Sequence, residues 1–192
     1  MMVRIGGFVG MILLWGTAAA GLPGVLHWQV ERDLETVYES VYNALEENKY
    51  FIIFEANISA NLARFSEQWG ESYNRSQLQG IRAMVICNPW YTNEVSNQDP
   101  DMLVLCPLQL TVYQKDGITH VGFARPTHVG AGSDAMPLLK EIESVLSSAV
   151  EQAIARLNND SKALPPQGNK RYIGNQGQPH EHQHQEGESR PE

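Results

Sequence analysis

The chain has 192 residues and a formal net charge of −8, with 22 acidic side chains against 14 Lys and Arg. An acidic balance with no basic stripe excludes nucleic acid as an expected partner, because nothing displaces counterions from phosphates. The length suits one domain with a full core and leaves no room for two.

In chain order, the first segment reads as an address. Met1-Met2-Val3-Arg4 is a short basic start, Ile5 to Trp15 is an uncharged apolar run, and Thr17-Ala18-Ala19-Ala20 supplies small residues. That order is the pattern of a secretory signal peptide, residues 1–20, with cleavage expected after Ala20. The uncharged stretch to Leu26 also has the roughly 20 residues a bilayer span needs. Gly16, Gly21, Pro23 and Gly24 break its second half, however, and a membrane contact is expected only if the segment stays uncleaved. The expected location is the periplasm. Loss of Arg4, the one charged residue in the segment, moves the formal charge from −8 to −9.

The mature domain is expected over residues 25–157. Leu26 to Val30 alternates apolar and polar residues, as a half-buried strand does. Asp33 offers an N-cap, and Leu34, Val37, Tyr38, Val41 and Leu45 follow at helical spacing, predicting a helix over Leu34–Asn48. Tyr50 to Phe54 is a β-rich run continuing towards Ile58. Leu62, Phe65 and Trp69 predict a short helix ending at Gly70, and Glu71 to Gly80 reads as loop. Ile81 to Cys87 is a strand stopped by Asn88-Pro89, and Trp90 to Asp101 reads as a long connection. Leu108–Gln114 and Ile118–Arg125 flank Lys115-Asp116-Gly117, a hairpin signal. After the Gly-rich stretch Pro126–Ser133, Asp134 can cap a helix over Met136–Leu157 with a wide apolar face. Residues 158–192 are polar and expected to be a disordered tail. Two long helices with single apolar faces need a sheet to cover. The expected class is therefore α+β: two layers, with a mostly antiparallel sheet of about five strands under two helices.

Leu34 to Ile58, the Ile86-Cys87-Asn88-Pro89 strand end, and Pro107-Leu108 leading into the Asp116-Gly117 hairpin resemble the bacterial domain-of-unknown-function 302 (DUF302) family. Asn88-Pro89 matches that pattern, while Cys87 stands where Gly is usual and Cys106-Pro107-Leu108 replaces Leu-Pro-Leu. The resemblance covers about residues 28–157. It implies a TATA-binding-protein-like order of strand, helix, four strands and helix, and it implies no activity.

Three sets of residues carry the candidate chemistry. Cys87 ends one strand and Cys106 precedes another. A bridge between them would close a loop of about 18 residues, worth on the order of 3 kcal/mol, and two separate thiols are equally compatible with the spacing. A thiol redox or sulfur-relay role is the third functional alternative, although no Cys-x-x-Cys is present. His180, His182 and His184 in the tail are candidate ligands for Cu, Zn or Ni. Period two places His27 and His120 on the sheet face opposite the core, with Gln109, Thr111 and Tyr113. With Met84 as a further candidate, that face is a ligand, metal or haem-ligand site, or the contact of a homodimer. No Cys-x-x-Cys-His motif exists, so covalent haem is excluded by that route.

No nucleophile elbow or phosphate-binding loop occurs, so no enzyme is expected and no cofactor is required; a transition metal ion is the one the histidines suggest. The leading expectation is a small exported binding or accessory module for a protein partner or small ligand. The competing one is an envelope metal-handling protein.

Overall fold

The computed structural model describes residues 22–163. The proposed signal segment, its cleavage site and the His180, His182 and His184 cluster lie outside the described residues. The elements run β1 (Val25–Val30), α1 (Leu34–Glu47), β2 (Phe51–Asn57), α2 (Ile58–Ala63), α3 (Ser66–Trp69), β3 (Gly80–Cys87) and α4 (Pro89–Gln98). They continue with β4 (Leu108–Lys115), β5 (Ile118–Ala124), α5 (Pro126–Val129) and α6 (Met136–Ala163), with 3₁₀ turns at Gly70–Ser72 and Pro100–Leu105. Set aside the short helices, and the order is strand, helix, four strands, helix.

All five strands join one antiparallel sheet in the order β1-β5-β4-β3-β2. Strands β3, β4 and β5 meander, and the β4–β5 connection is the two-residue turn Asp116-Gly117. Both turn residues have positive φ, 52° and 78°, as a type I′ turn whose twist matches the flanking strands requires. Between β1 and β2, α1 carries the chain from one edge of the sheet to the other.

Both long helices lie on the same sheet face and pack on each other. Val37, Val41 and Leu45 of α1 and Leu146, Ala149 and Val150 of α6 are fully buried, against Met84, Ile86, Leu110, Val112 and Val121 of the sheet. The Asp33 carboxylate accepts from the Thr36 amide at 2.9 Å and starts α1, as Ser/Thr/Asp/Asn caps do. At the sheet margin, the Arg82 guanidinium stacks 3.6 Å from the Tyr38 ring centroid and pairs with Glu55 at 3.1 Å and with Glu35.

Several elements differ from expectation. The segment from Trp90 is helix α4 rather than connection, because Asn88 accepts from the Trp90 and Tyr91 amides at 3.0 and 3.1 Å and Pro89 opens the first turn. The single helix expected to end at Gly70 is two short pieces, separated at Arg64-Phe65. The stretch after β5 contains the short helix α5. At the start of α6 it is the Ser133 hydroxyl, and not Asp134, that accepts from the Ala135 amide, at 3.1 Å. Helix α6 runs on to Ala163 rather than stopping at Leu157, since no Pro or Gly follows until Pro165. Among the described residues, no helix is long and apolar enough to cross a membrane.

Candidate functional site

The face of the sheet turned away from the helices carries the side chains that period two assigns to it. His120 on β5 lies directly opposite Tyr113 on β4, and His27 on β1 pairs with Gly122. The three rings therefore form a ladder across three strands. Tyr113 and His120 stack with centroids 4.5 Å apart and planes within 3°, and His27 follows His120 at 5.1 Å. His27 Nε2 lies 3.1 Å from His120 Nδ1 and 3.5 Å from the Tyr113 hydroxyl. At 3.1 Å one imidazole donates to the other, so at least one of the two is neutral.

Beside the ladder lies an open concavity of about 480 Å³, lined by Leu22, Val25, His27, Thr111, Tyr113, Gly122, Phe123 and Ala124. Gly122 makes its floor: a side chain there would point into the concavity over the His27 ring. Its wall is apolar at Leu22 and Val25, which are 72% and 37% exposed.

Burial pulls the His120 imidazole below its ordinary value of 6.5, with the neighbouring His27 and Lys115 adding in the same direction. The unfolded chain therefore binds the His120 proton more readily than the folded one, and folding stability should fall as pH drops from 6.5 towards the lowered folded value. Above 6.5 this contribution is constant. Urea unfolding at about pH 7.5 and about pH 5 should show the loss in the native chain and a smaller loss in His120→Gln. Equal losses would mean that His120 titrates as it does when unfolded.

Met84 does not belong to this face. It is fully buried opposite Leu110, under the helices, because β3 turns Met84 and Ile86 into the core. It is thereby removed as a partner of His27 and His120.

Cys87 and Cys106 both line a second, smaller and partly open space of about 20 Å³. Both are free thiols. Cys87 Sγ lies 3.6 Å from Thr92 Oγ1, and Thr92 also interacts with the Cys106 thiol, whose pKa burial pushes up. Tyr50 lines the same cavity. Its ring is 1% exposed and stacks on Tyr91 at 5.8 Å, yet its hydroxyl has no hydrogen-bond partner. Tyr91 by contrast donates to Glu141 at 2.9 Å and is pushed up to about 12, chiefly by burial. Sequence reasoning singled out the two cysteines but neither Tyr50 nor Thr92, which stand far apart along the chain and read as an ordinary strand-run residue and a connection residue. Among the described residues there is no cluster of three or more His, Cys, Asp or Glu side chains able to hold a metal.

A fully antiparallel five-stranded sheet, backed by two long helices and open on the other face, defines a compact α+β module of the strand–helix–four-strand–helix type. The chain belongs to the DUF302 family: the family model, "Domain of unknown function DUF302", matches residues 26–157. The fold is similar to the crystal structure of an uncharacterised conserved DUF302 protein from Bacillus stearothermophilus. The TM-score is 0.60 at 18% identity, over 69% of this chain and 99% of that one. No curated protein matches the chain.

Proposed function

We propose that the chain is a small exported, periplasmic binding module without catalytic activity, and that its ligand site is the concavity on the open sheet face. The observation that carries this reading is the His27–His120–Tyr113 ladder at the edge of a concavity of about 480 Å³ with apolar walls. Apolar lining with a few convergent polar groups is what small-ligand sites share. Leu22 and Val25 suit an apolar body, and the ladder supplies hydrogen bonds and flat aromatic faces to a polar head. Export rests on the Met1–Ala20 pattern, and the absence of a nucleophile–base–orienter motif in the sequence supports a binding role over a catalytic one.

The anionic dye 8-anilinonaphthalene-1-sulfonate, an apolar ring system with one polar head, serves as a probe. Its fluorescence should rise on binding to the purified chain and fail to rise with Gly122→Leu. A Cβ at Gly122 meets nothing closer than 3.4 Å, and Leu is better suited to a strand than Gly, so the variant should unfold at an unchanged or higher midpoint. An equal fluorescence rise in that variant would place the apolar site elsewhere and overturn the reading.

A further inference from the structure

The small cavity between the end of β3 and the approach to β4 is independent of the open sheet face. Its wall carries two thiols, Cys87 and Cys106, and two hydroxyls, Tyr50 and Thr92, amid Ile86, Val95, Leu139 and Ile142. A cavity of about 20 Å³ admits a single small occupant. The Tyr50 hydroxyl is a buried donor with no acceptor, a costly arrangement that native proteins seldom keep without a use. Thr92 is within contact of both sulfurs. The Thr92 hydroxyl spends its one hydrogen on the Asn88 carbonyl at 3.0 Å, so the walls supply one free hydroxyl donor, Tyr50, and two sulfurs, and a neutral thiol is a poor acceptor.

We propose that Cys87 and Cys106 form a two-thiolate site for one monovalent thiophilic cation, Cu(I), with Tyr50 donating a hydrogen bond to the sulfurs' side of the cavity. Binding is a ligand exchange without electron transfer. Each thiol gives up its proton, two copper–sulfur bonds form, and the product is a Cu(I) bis-thiolate of net charge −1 with two protons released to solvent. Soft thiolates select Cu(I), which two sulfurs satisfy. Zn²⁺ needs four ligands, and the described residues hold no third ligating side chain at this place. The negative product sits at the N-terminal end of α4, whose cap Asn88 and whose residues Tyr91 and Thr92 line the cavity, and a helix N-terminus favours negative charge. Converting the thiols to thiolates also creates the acceptor that Tyr50 lacks. A disulfide would leave that hydroxyl unpaired, and a bound water would satisfy Tyr50 without any use of the sulfurs.

The test is an anaerobic titration of the reduced full-length chain with Cu(I), in competition with bicinchoninate. The chain should take one Cu(I) with a near-ultraviolet thiolate-to-copper charge-transfer band. Cys87→Ser and Cys106→Ser should each lose that band and that uptake. Tyr50→Phe should retain one equivalent at roughly tenfold weaker affinity, the usual cost of removing an outer-shell hydrogen bond. Circular dichroism checks that each variant is folded, and Cys87→Ala and Cys106→Ala replace a serine variant that is not. Uptake and band unchanged in both cysteine variants would overturn the site. So would copper held without the band, which would assign it to histidines, or a reduced chain that takes up no Cu(I) and reoxidises to a Cys87–Cys106 bridge.

Discussion

Leu146→Ala should lower the stability of the domain by about 2–5 kcal/mol, the range for a buried leucine whose neighbours close only partly over the void. Leu146 is fully buried near the middle of α6, where that helix lies against α1 and the sheet. The site draws on two elements far apart in sequence, so its loss is not confined to local fraying of a helix end. Urea unfolding should show a lower midpoint with an unchanged slope, because the surface exposed on unfolding is nearly the same. A matched change on the solvent side, Lys140→Ala, should stay within about 0.5 kcal/mol. A Leu146→Ala midpoint equal to that of the native chain would show that α6 is not part of the core.

Gly130→Ala is expected to destabilise by about 1–3 kcal/mol, by overpacking rather than by any backbone preference. Gly130 has φ −87°, a conformation open to every residue. A Cβ at this position would collide with Leu139 Cδ1, and it would lie 3.1 Å from Met102 Sδ and 3.3 Å from the Pro126 carbonyl. Leu139 is 1% exposed and so has little space into which to swing. The double change Gly130→Ala with Leu139→Val, which removes one methylene at the collision, should recover part of the loss relative to the sum of the single changes. Strict additivity in that cycle would mean that the two sites do not touch. Gly24→Ala is the informative contrast: its nearest neighbour is the ring of His128, an exposed side chain able to turn aside.

Elements with a strong period were legible in the sequence. The α1 stripe from Leu34 to Leu45, the Asp116-Gly117 turn and the α6 face each bury a regular set of residues, and each stands where its pattern placed it. Helix α4 was not legible by period because Val95 is its only buried residue. The signal it did carry was at its start, where Asn followed by Pro can open a helix as well as close a strand. Met84 was misplaced for a related reason. Ala83, Met84, Val85 and Ile86 are consecutive apolar residues on a central strand, and a run without alternation does not say which face is which. The pairing of Met84 with Leu110 decides it. The ladder of His27, His120 and Tyr113 was legible because β1, β4 and β5 do alternate. The meeting of Tyr50 with Cys106 was not, since no periodic rule links a residue after α1 to one before β4.

The sheet order has a consequence for how the molecule comes into being. Among the described residues, strand β1 is the first to be synthesised, and its one neighbour, β5, is the last; the ladder joins Val25 to Ala124 and Val30 to Thr119. At a translation rate of about 5–20 residues per second, β1 waits roughly five to twenty seconds for a partner. During that interval the chain can pair only β2, β3 and β4, and contacts so distant in sequence are slow to form. A nascent chain with its opening strand unclaimed is still threadable. For a protein proposed to cross a membrane before it works, late closure by β5 would keep the chain in the state that passage requires.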